Sequence, residues 1–271
     1  MTEDFSTAVF DRSPLTARRE AVRQRVLAVG FARIDELARE FDVSVMTMHR
    51  DLDALVTEGW LTKIRGGATA NPSALLEFGV RERASAQRGE KAAIAAEAAA
   101  LLGRGQTVFL DDSTTALALV PHLVAHAPIT VASNFVPVLT GLSGAPGVEL
   151  HLLGGQYNPS LEACFGLQTV DAIGRLHADL FFMSTTGLSQ GRCYHRSEPT
   201  IMIRHALLEA SSRAVLLVDH AKFGRPAPHL LCPVDRFDTV ITDDGVDPED
   251  LADLRTHNVE VRVAVAGGQD R

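Results

Sequence analysis

Two neighbouring stretches of the 271-residue chain decide the fold of its N-terminal part: residues 35–55, DELAREFDVSVMTMHRDLDAL, and residues 60–69, WLTKIRGGAT. The first stretch predicts a helix, a tight turn and a second helix that begins at Ser44, a residue suited to cap it. Apolar side chains recur in the second helix at the spacing of a buried face: Met48, Leu52 and Leu55. The pattern predicts a helix-turn-helix.

The sequence on either side of this motif extends it to a complete small domain. Residues 16–29 place valines at helical spacing among arginines, which predicts an amphipathic helix. Residues 60–69 predict two short strands around a glycine turn, with Lys63 and Arg65 near the tip. We call this hairpin the wing. Three helices followed by a wing are typical of a winged helix-turn-helix domain, which we predict over residues 14–70.

The start of the helix at Ser44 is where a recognition helix would meet the edges of DNA bases. The predicted DNA contacts come from this helix and from the wing: Met46, Thr47, His49, Arg50, Lys63 and Arg65. The net charge of the chain is −8, but basic residues slightly outnumber acidic ones between residues 13 and 65. One basic face on an acidic protein fits this distribution. The alternative is a plain three-helix bundle with an ordinary exposed face, and the basic glycine turn argues against it.

The rest of the chain has a different pattern. Residues 71–106 are rich in Ala, Glu and Arg and predict a helical linker. Beyond them, short apolar runs alternate with helix-sized intervals, which predicts an α/β domain with a mainly parallel sheet over residues 107–271. The predicted strands are 107–110, 129–132, 148–153, 180–183, 214–218, 239–242 and 259–265.

Polar residues follow most of these strands, at the edge where parallel sheets bind ligands. The predicted effector-binding residues are Asp111, Ser113, Thr114, Thr115, Asn134, Gly154, Gly155, Thr186, Gly187, Asp219 and Lys222. Small hydroxyl residues that enter a helix offer backbone N–H groups to a phosphate. Each feature also has an ordinary explanation, as a helix cap, a chain turn or a solvated lysine. Several polar strand ends in one sheet favour a ligand pocket.

Other classes of site are not indicated. The three cysteines, Cys164, Cys193 and Cys232, lie far apart and predict reduced, packed thiols. The histidines of the second domain lack metal-ligand spacing and are taken as surface or structural residues: His177, His195, His205, His220 and His229. The glycines fit neither the dinucleotide nor the Walker pattern. We predict no metal, no cofactor and no membrane span, and we expect a cytoplasmic location.

Residues in both parts of the chain resemble the DeoR-type bacterial regulators. In the N-terminal part the resemblance covers residues 19–69, through Thr47, Arg50-Asp51-Leu52, Glu58-Gly59 and Arg65-Gly66-Gly67-Ala68. In the second part it includes Leu110-Asp111 with Thr114-Thr115, Ser133-Asn134, Leu153-Gly154-Gly155, Ala178-Asp179 and 219–223. The resemblance implies the fold of ribose-phosphate isomerases and acyl-CoA transferases, and a phosphorylated sugar or related effector. The sequence departs from the family pattern at two places. His49 replaces an arginine, with Val45 and Met46 at preceding positions that are polar in the family, and Ser113 replaces a glycine of the phosphate loop.

The leading hypothesis is a repressor that binds double-stranded operator DNA as a homo-oligomer and is relieved by a phosphorylated metabolite. An enzyme acting on a sugar phosphate is the alternative, with acid/base groups drawn from Asp111, Glu198, Asp219 and Lys222. An architectural DNA protein is a third reading, which leaves the polar strand ends unexplained. Activation instead of repression, and dimer against tetramer, stay open at this stage.

Overall fold

The computed structural model describes residues 14–29, 31–57, 60–70 and 79–266. The chain divides into two compact units, residues 1–87 and residues 88–271. Glu58-Gly59 and residues 71–78 of the predicted linker lie outside the described residues. Within the described part, no helix is both long enough and apolar enough to cross a membrane.

The first unit is a winged helix-turn-helix, which confirms the predicted fold of this part. Its elements are α1 (Pro14–Val29), β1 (Phe31–Arg33), α2 (Ile34–Glu40), α3 (Val45–Thr57), β2 (Leu61–Ile64), β3 (Gly67–Ala70) and α4 (Val80–Ser85). The strands form an antiparallel sheet in the order β1-β3-β2. The sequence pattern missed β1, because three residues are too few to show alternation.

Apolar side chains from the helices and the wing share one core in this unit. The largest contributions come from Val22, Val26, Leu37, Met48, Leu52, Leu55 and Leu61. Two adjacent glycines shape the wing for different reasons. Gly66 turns the chain at φ +83°, whereas a Cβ on Gly67 would stand 2.5 Å from the carbonyl oxygen of Ala32. Gly67 therefore allows β3 to pack closely on β1.

The second unit is built on a parallel sheet. Its strands are β4 (Thr107–Leu110), β5 (Ile129–Ser133), β6 (Val148–Leu152), β7 (Gln156–Asn158), β8 (Ala163–Phe165), β9 (Ala178–Met183), β10 (Gly187–Ser189), β11 (Arg192–His195), β12 (Ser211–Leu217), β13 (His229–Pro233), β14 (Thr239–Asp243) and β15 (Glu260–Ala264). Seven of them form the main sheet, in the order β15-β14-β12-β9-β4-β5-β6, with all neighbours parallel. These seven are the strands that the sequence predicts, with small shifts at their ends.

Helices cover the sheet and connect its strands. They are α5 (Arg88–Ala99), α6 (Thr114–Leu117), α7 (Val120–Leu123), α8 (Val136–Leu142), α9 (Leu167–Ile173), α10 (Glu198–Glu209) and α11 (Pro248–Leu254). The structure places α5 differently from the predicted linker. Its apolar face, with Ile94, Ala95 and Ala98 buried, packs on β14 and β15, so α5 is part of the second unit. An alanine-rich helix lacks the large apolar residues from which a buried helix face is predicted in a sequence.

Five short strands lie outside the main sheet. β7 pairs with β8, and β10, β11 and β13 form a small antiparallel sheet. They were not predicted, since most of these short runs contain polar residues and lack a continuous apolar stretch. All three cysteines are buried and free of disulfides.

The direction of strand order reverses beside β4. The chain passes from β4 to β5 and β6 on one side, and then returns to β9, β12, β14 and β15 on the other. The carboxyl ends of β4 and β9 consequently flank a switch point, where open α/β sheets bind their ligands.

Candidate DNA-binding surface and effector site

The first turn of α3 presents the predicted recognition residues in two different ways. Ser44 caps the helix, accepting a hydrogen bond from the backbone N–H of Thr47 at 3.1 Å, and the two hydroxyls lie 2.9 Å apart. Met46 is 65% exposed and Arg50 is also exposed, whereas Thr47 and His49 are half-buried. Met46 and Arg50 are therefore the side chains most available to a partner.

The two wing cations are also not equivalent. Arg65 lies exposed at the turn. Lys63 instead folds back on α3, where its ammonium group pairs with Asp53 and lies 3.4 Å from the carbonyl oxygen of His49. The sequence placed both cations at the tip, but only Arg65 has an exposed side chain. Lys63 joins the wing to the recognition helix.

Asp51, next to Arg50, faces the interior. The residue is 1% exposed, and its carboxylate accepts hydrogen bonds from Arg18 Nε at 2.8 Å and Arg19 Nε at 3.0 Å. Two charge-assisted bonds to one buried carboxylate tie α1 to α3. Asp51 positions the recognition helix, and Arg50 is left free to face outward.

In the second unit, the loop after β4 is organised around Asp111. This carboxylate is fully buried and accepts hydrogen bonds from the backbone N–H groups of Ser113 and Ser184, each at 3.0 Å, and from the Ser113 hydroxyl. Arg204 lies 2.9 Å from Asp111 Oδ2. Burial raises the pKa of Asp111 from its ordinary value, while Arg204 acts to lower it. The oxygens of Asp111 are thus occupied by the protein itself.

Arg204, on α10, is the central cation of this network, and sequence analysis did not identify it. Its guanidinium bonds to Asp111, to Asp112 Oδ1 at 3.0 Å and to the carbonyl oxygen of Ser184 at 2.7 Å, with only 3% of the residue exposed. A lone arginine on an otherwise apolar helix face is the only hint in the sequence. Arg204 links α10 to the ends of β4 and β9.

The hydroxyl residues after Asp112 close the loop. Ser113 has φ −94° and ψ 146°, so the serine found in place of the family's glycine is unstrained, and its hydroxyl caps α6 through the N–H of Ala116 at 3.1 Å. Thr114 and Thr115 are buried, and Lys91 Nζ donates to Thr114 Oγ1 at 3.1 Å. Because α6 is one turn long, its dipole is small, and its N-terminus attracts a phosphate less than a longer helix would.

The end of β12 differs sharply from the end of β4. Asp219 is fully buried, and within the described residues neither of its carboxylate oxygens has a hydrogen-bond partner. Lys222 and Arg225 follow it, both half-buried. Burial lowers the pKa of Arg225, and Asp219 acts against that shift, so the two charges are within electrostatic reach. Ser184, directly after the neighbouring β9, also carries a buried hydroxyl without a partner within the described residues.

His220, next to Asp219, pairs with a carboxylate of the adjacent strand. Its Nδ1 lies 2.6 Å from Asp243 Oδ2, and its backbone N–H donates to Asp243 Oδ1 at 2.7 Å. The hydrogen bond to Asp243 raises the pKa of His220. A Cβ on Gly245 would meet both groups within 2.8 Å, which explains the glycine there. His220 holds β12 to β14.

The remaining predicted residues fall into two groups. Thr186 and Gly187 follow β9, and a Cβ on Gly187 would overlap the carbonyl oxygen of Arg225 at 1.8 Å. The other three lie after β5 and β6, away from β12: Asn134, Gly154 and Gly155. The Asn134 amide donates to the Cys164 carbonyl oxygen at 2.9 Å, and a Cβ on Gly155 would meet Thr169 Oγ1 at 2.2 Å. Gly155 serves the packing of α9.

The fold and these two sites define a class: a helix-turn-helix DNA-binding protein with a ligand-sensing α/β domain. Two family models match, the DeoR-like helix-turn-helix domain over residues 18–74 and the DeoR C terminal sensor domain over residues 86–244. The chain belongs to the DeoR family of transcriptional regulators, which confirms the resemblance found in the sequence.

Named relatives are similar along most of their length. The chain is 27% identical to the glycerol-3-phosphate regulon repressor of Escherichia coli K12, over 92% of this chain and 98% of that one. It is 30% identical to the L-fucose operon activator of Haemophilus influenzae, over 86% and 94%. A ribose 5-phosphate isomerase A from Methanocaldococcus jannaschii matches 49% of this chain and 53% of its own, at 13% identity and a TM-score of 0.36.

Proposed function

We propose that this protein is a repressor that binds operator DNA through α3 and the wing and releases it when a phosphorylated sugar or related metabolite binds the second unit. The proposal is supported most by one combination: an exposed reading surface and a buried polar site with unpartnered groups, in the same chain. The name of the Escherichia coli relative, which refers to glycerol 3-phosphate, supports a phosphorylated effector for this chain too.

On the DNA side, Arg50 and Met46 are assigned to base edges. Arginine reads guanine through two parallel hydrogen bonds, and an apolar side chain fits the methyl group of thymine. Thr47 and His49 are half-buried and adjust this preference. Arg65 is assigned to the phosphate backbone, as suits an exposed basic turn. The protein binds repeated half-sites as a symmetric homo-oligomer, in the cytoplasm.

On the effector side, the site consists of the polar groups that follow β4, β9 and β12. Lys222 and Arg225 supply the positive charge for the phosphate, with Thr114, Thr115 and Thr186 around it. An effector changes DNA affinity only by the difference in its own affinity for the DNA-competent and incompetent states. Loss of the cations should therefore remove the response without removing DNA binding.

The sugar-phosphate site binds its ligand without a catalytic step. Two of the four groups considered for acid/base catalysis are poorly placed for it: Glu198 is exposed at the start of α10, and the oxygens of Asp111 already hold hydrogen bonds. Turnover of a sugar phosphate by the purified protein would contradict this assignment.

DNA binding is tested by fluorescence anisotropy with duplex DNA from upstream of the protein's own gene, against a scrambled duplex. Arg50→Ala should weaken specific binding by about 1–3 kcal/mol if the side chain reads a base. Arg39→Ala, at an exposed arginine of α2, is the matched control and should change affinity little. Equal affinity of the wild type for the two duplexes would refute operator recognition.

Effector response is tested by adding sugar phosphates to the preformed complex. Lys222→Gln should bind operator normally but fail to release it at concentrations that release the wild type. Arg175→Gln, at an exposed arginine after α9, removes the same charge outside the site and should respond normally. Normal release by Lys222→Gln would remove Lys222 from the effector site.

A further inference from the structure

Two of the three cysteines lie opposite each other in the small antiparallel sheet of the second unit. In the pairing of β11 with β13, Cys193 is the direct partner of Cys232. Both thiols are free and buried. The third cysteine, Cys164, is opposite Tyr157 in the pairing of β7 with β8. The fold therefore brings together two thiols that are far apart in the sequence.

The register of β11 and β13 places the two thiols close to the geometry of a disulfide. Directly opposed residues in an antiparallel pair have Cα atoms about 4.5–5.5 Å apart and Cβ atoms at about the same spacing. A disulfide needs Cα atoms about 4.4–6.8 Å apart and Cβ atoms about 3.5–4.5 Å apart. The Cβ atoms therefore have to approach by about 1 Å. The register shifts next to Cys193, and β13 is an edge strand, so the ladder can accommodate this movement.

The two thiols differ in access and in acidity. Cys232 lies on the edge strand and is 7% exposed, whereas Cys193 is 0% exposed. The hydrogen bond that Cys193 donates lowers the pKa of Cys232, and the positive charges of Arg236 and Arg204 lower it further, against the effect of burial. The same hydrogen bond, together with burial, raises the pKa of Cys193. Because the thiolate is the nucleophile, Cys232 is the thiol that reacts first.

We propose that Cys193 and Cys232 form an oxidation site, at which a low-molecular-weight disulfide converts the two thiols into an intramolecular disulfide. The Cys232 thiolate attacks one sulfur of the reagent, so a mixed disulfide forms, the S–S bond of the reagent breaks and one thiolate leaves. Cys193 then attacks the Cys232 sulfur and expels the second thiolate. The two thiol protons end on the two departing thiolates, so that two protein thiols are oxidised and one reagent disulfide is reduced.

The first step of this reaction favours the second. While Cys232 is ionised, its charge and its hydrogen bond keep the pKa of Cys193 well above the ordinary value. The mixed disulfide removes that charge and that acceptor. The positive charge of Arg204 then continues to lower the pKa of Cys193 against burial alone. Cys193 therefore becomes more acidic at the step in which it has to act as the nucleophile.

A metal ion is the other occupant that two adjacent thiols suggest. Structural zinc sites take four ligands, mostly cysteine and histidine. Two histidines, His195 and His229, are paired further along the same ladder. In the part of the chain that the structure describes, however, no group of three or more His, Cys, Asp or Glu residues is arranged to hold a metal ion. Oxidation therefore fits this pair of thiols better than metal binding does.

The test treats the folded full-length protein with glutathione disulfide. The reduced protein has three thiols. After treatment it should keep one thiol, lose the mass of two hydrogen atoms, and yield on digestion a pair of peptides that links Cys193 to Cys232. Dithiothreitol should restore all three thiols. The oxidised protein should unfold about 4–12 °C higher than the reduced protein, because the cross-link closes a long loop in the unfolded chain.

Three variants assign the order of the steps. Cys164→Ser is the matched control, because Cys164 is 6% exposed, much like Cys232, but lies opposite a tyrosine. This variant should oxidise like the wild type. Cys193→Ser should stop at the mixed disulfide, with one glutathione on Cys232. Cys232→Ser should take up glutathione at least about tenfold more slowly, since its remaining thiol of the pair is fully buried.

Three results would overturn the proposal. The first is a wild type that keeps all three thiols under conditions in which the protein unfolded in guanidinium chloride is oxidised. The second is a disulfide that includes Cys164, or one that lowers the unfolding temperature, since either would show that the register of β11 and β13 does not fit this cross-link. The third is uptake of glutathione by Cys232→Ser as fast as by Cys193→Ser, which would refute the assignment of Cys232 as the attacking thiol.

Discussion

Replacing Arg204 with methionine should destabilise the second unit strongly, without direct damage to the DNA-binding surface. Methionine fills similar space but supplies no donor. The change removes the ion pairs to Asp111 and Asp112, at 2.9 and 3.0 Å, and the hydrogen bond to the Ser184 carbonyl oxygen at 2.7 Å. Two buried carboxylates would then lose the guanidinium that pairs with both of them.

The magnitude follows from burial. Removing one partner of a buried ion pair typically costs about 3–5 kcal/mol, because the remaining charge is left uncompensated. Arg204 is 3% exposed, Asp111 is fully buried and Asp112 is 5% exposed, so solvent does not screen the loss. For a unit of this size, each kcal/mol lowers the unfolding temperature by about 2–4 °C. A drop of about 6–20 °C is expected.

The chain carries its own reporters for the assay. Trp60 is the only tryptophan and lies in the first unit, whereas both tyrosines, Tyr157 and Tyr194, lie in the second. Far-ultraviolet circular dichroism follows both units, and Trp60 fluorescence follows the first. Arg236→Met is the matched control, since it breaks an exposed pair with Glu209, worth about 0–1 kcal/mol. A loss below about 1 kcal/mol in Arg204→Met would refute the view that this network holds the sheet ends together.

The same variant should have a characteristic pH dependence. Burial already raises the pKa of Asp111, and loss of Arg204 removes the main influence that lowers it. A carboxyl whose folded-state pKa lies above its unfolded value binds a proton more readily in the folded protein, so folded-state stability increases as the pH falls. The destabilisation of Arg204→Met should therefore be smaller at mildly acidic pH than at neutral pH. An equal loss at both would show that Asp111 does not titrate in the variant.

Two further predictions concern the wing and the histidine pair. Arg65→Ala should reduce the slope of log affinity against log salt concentration for operator binding by about one. Lys63→Ala should reduce this slope by less, because Asp53 already neutralises Lys63. Equal changes of slope in anisotropy titrations of the two variants would contradict this difference. The pKa of His220 is raised in the folded protein, so protonated His220 stabilises the fold. This stabilisation is complete at pH values below the ordinary histidine pKa, and it is lost as the pH rises through the folded-state pKa. Burial acts to raise the pKa of Asp243, but hydrogen bonds from His220 outweigh it and lower that pKa. The stability that ionised Asp243 contributes is therefore lost as the pH falls through its folded-state pKa. His220→Gln should remove the decline on the alkaline side, and an unchanged pH profile of unfolding followed by circular dichroism would count against the pair.

The sequence predicted what depends on local pattern. The inner strands of the main sheet carry mostly apolar, buried runs, and α3 has a clear inward stripe, so both were found. The polar residues after β4, β9 and β12 were found through the rule for ligand positions in parallel sheets. By contrast, Arg204 meets Asp112 across 92 positions of chain. No local pattern records such a pairing. Lys91 was missed for the same reason, because its partner Thr114 lies 23 positions further along the chain.

Local pattern also could not separate two aspartates that look alike. Asp111 and Asp219 each follow a buried strand, and both were predicted as effector ligands. In the structure, Asp111 accepts bonds from Ser113, Ser184 and Arg204, whereas Asp219 accepts none within the described residues. The Asp111 carboxylate already accepts several hydrogen bonds and has little capacity left for a ligand, whereas the Asp219 carboxylate still requires a donor. We therefore expect the two residues to have different roles. Loss of the Asp111 carboxylate should register first as instability, and loss of the Asp219 carboxylate should register as a changed response to ligand.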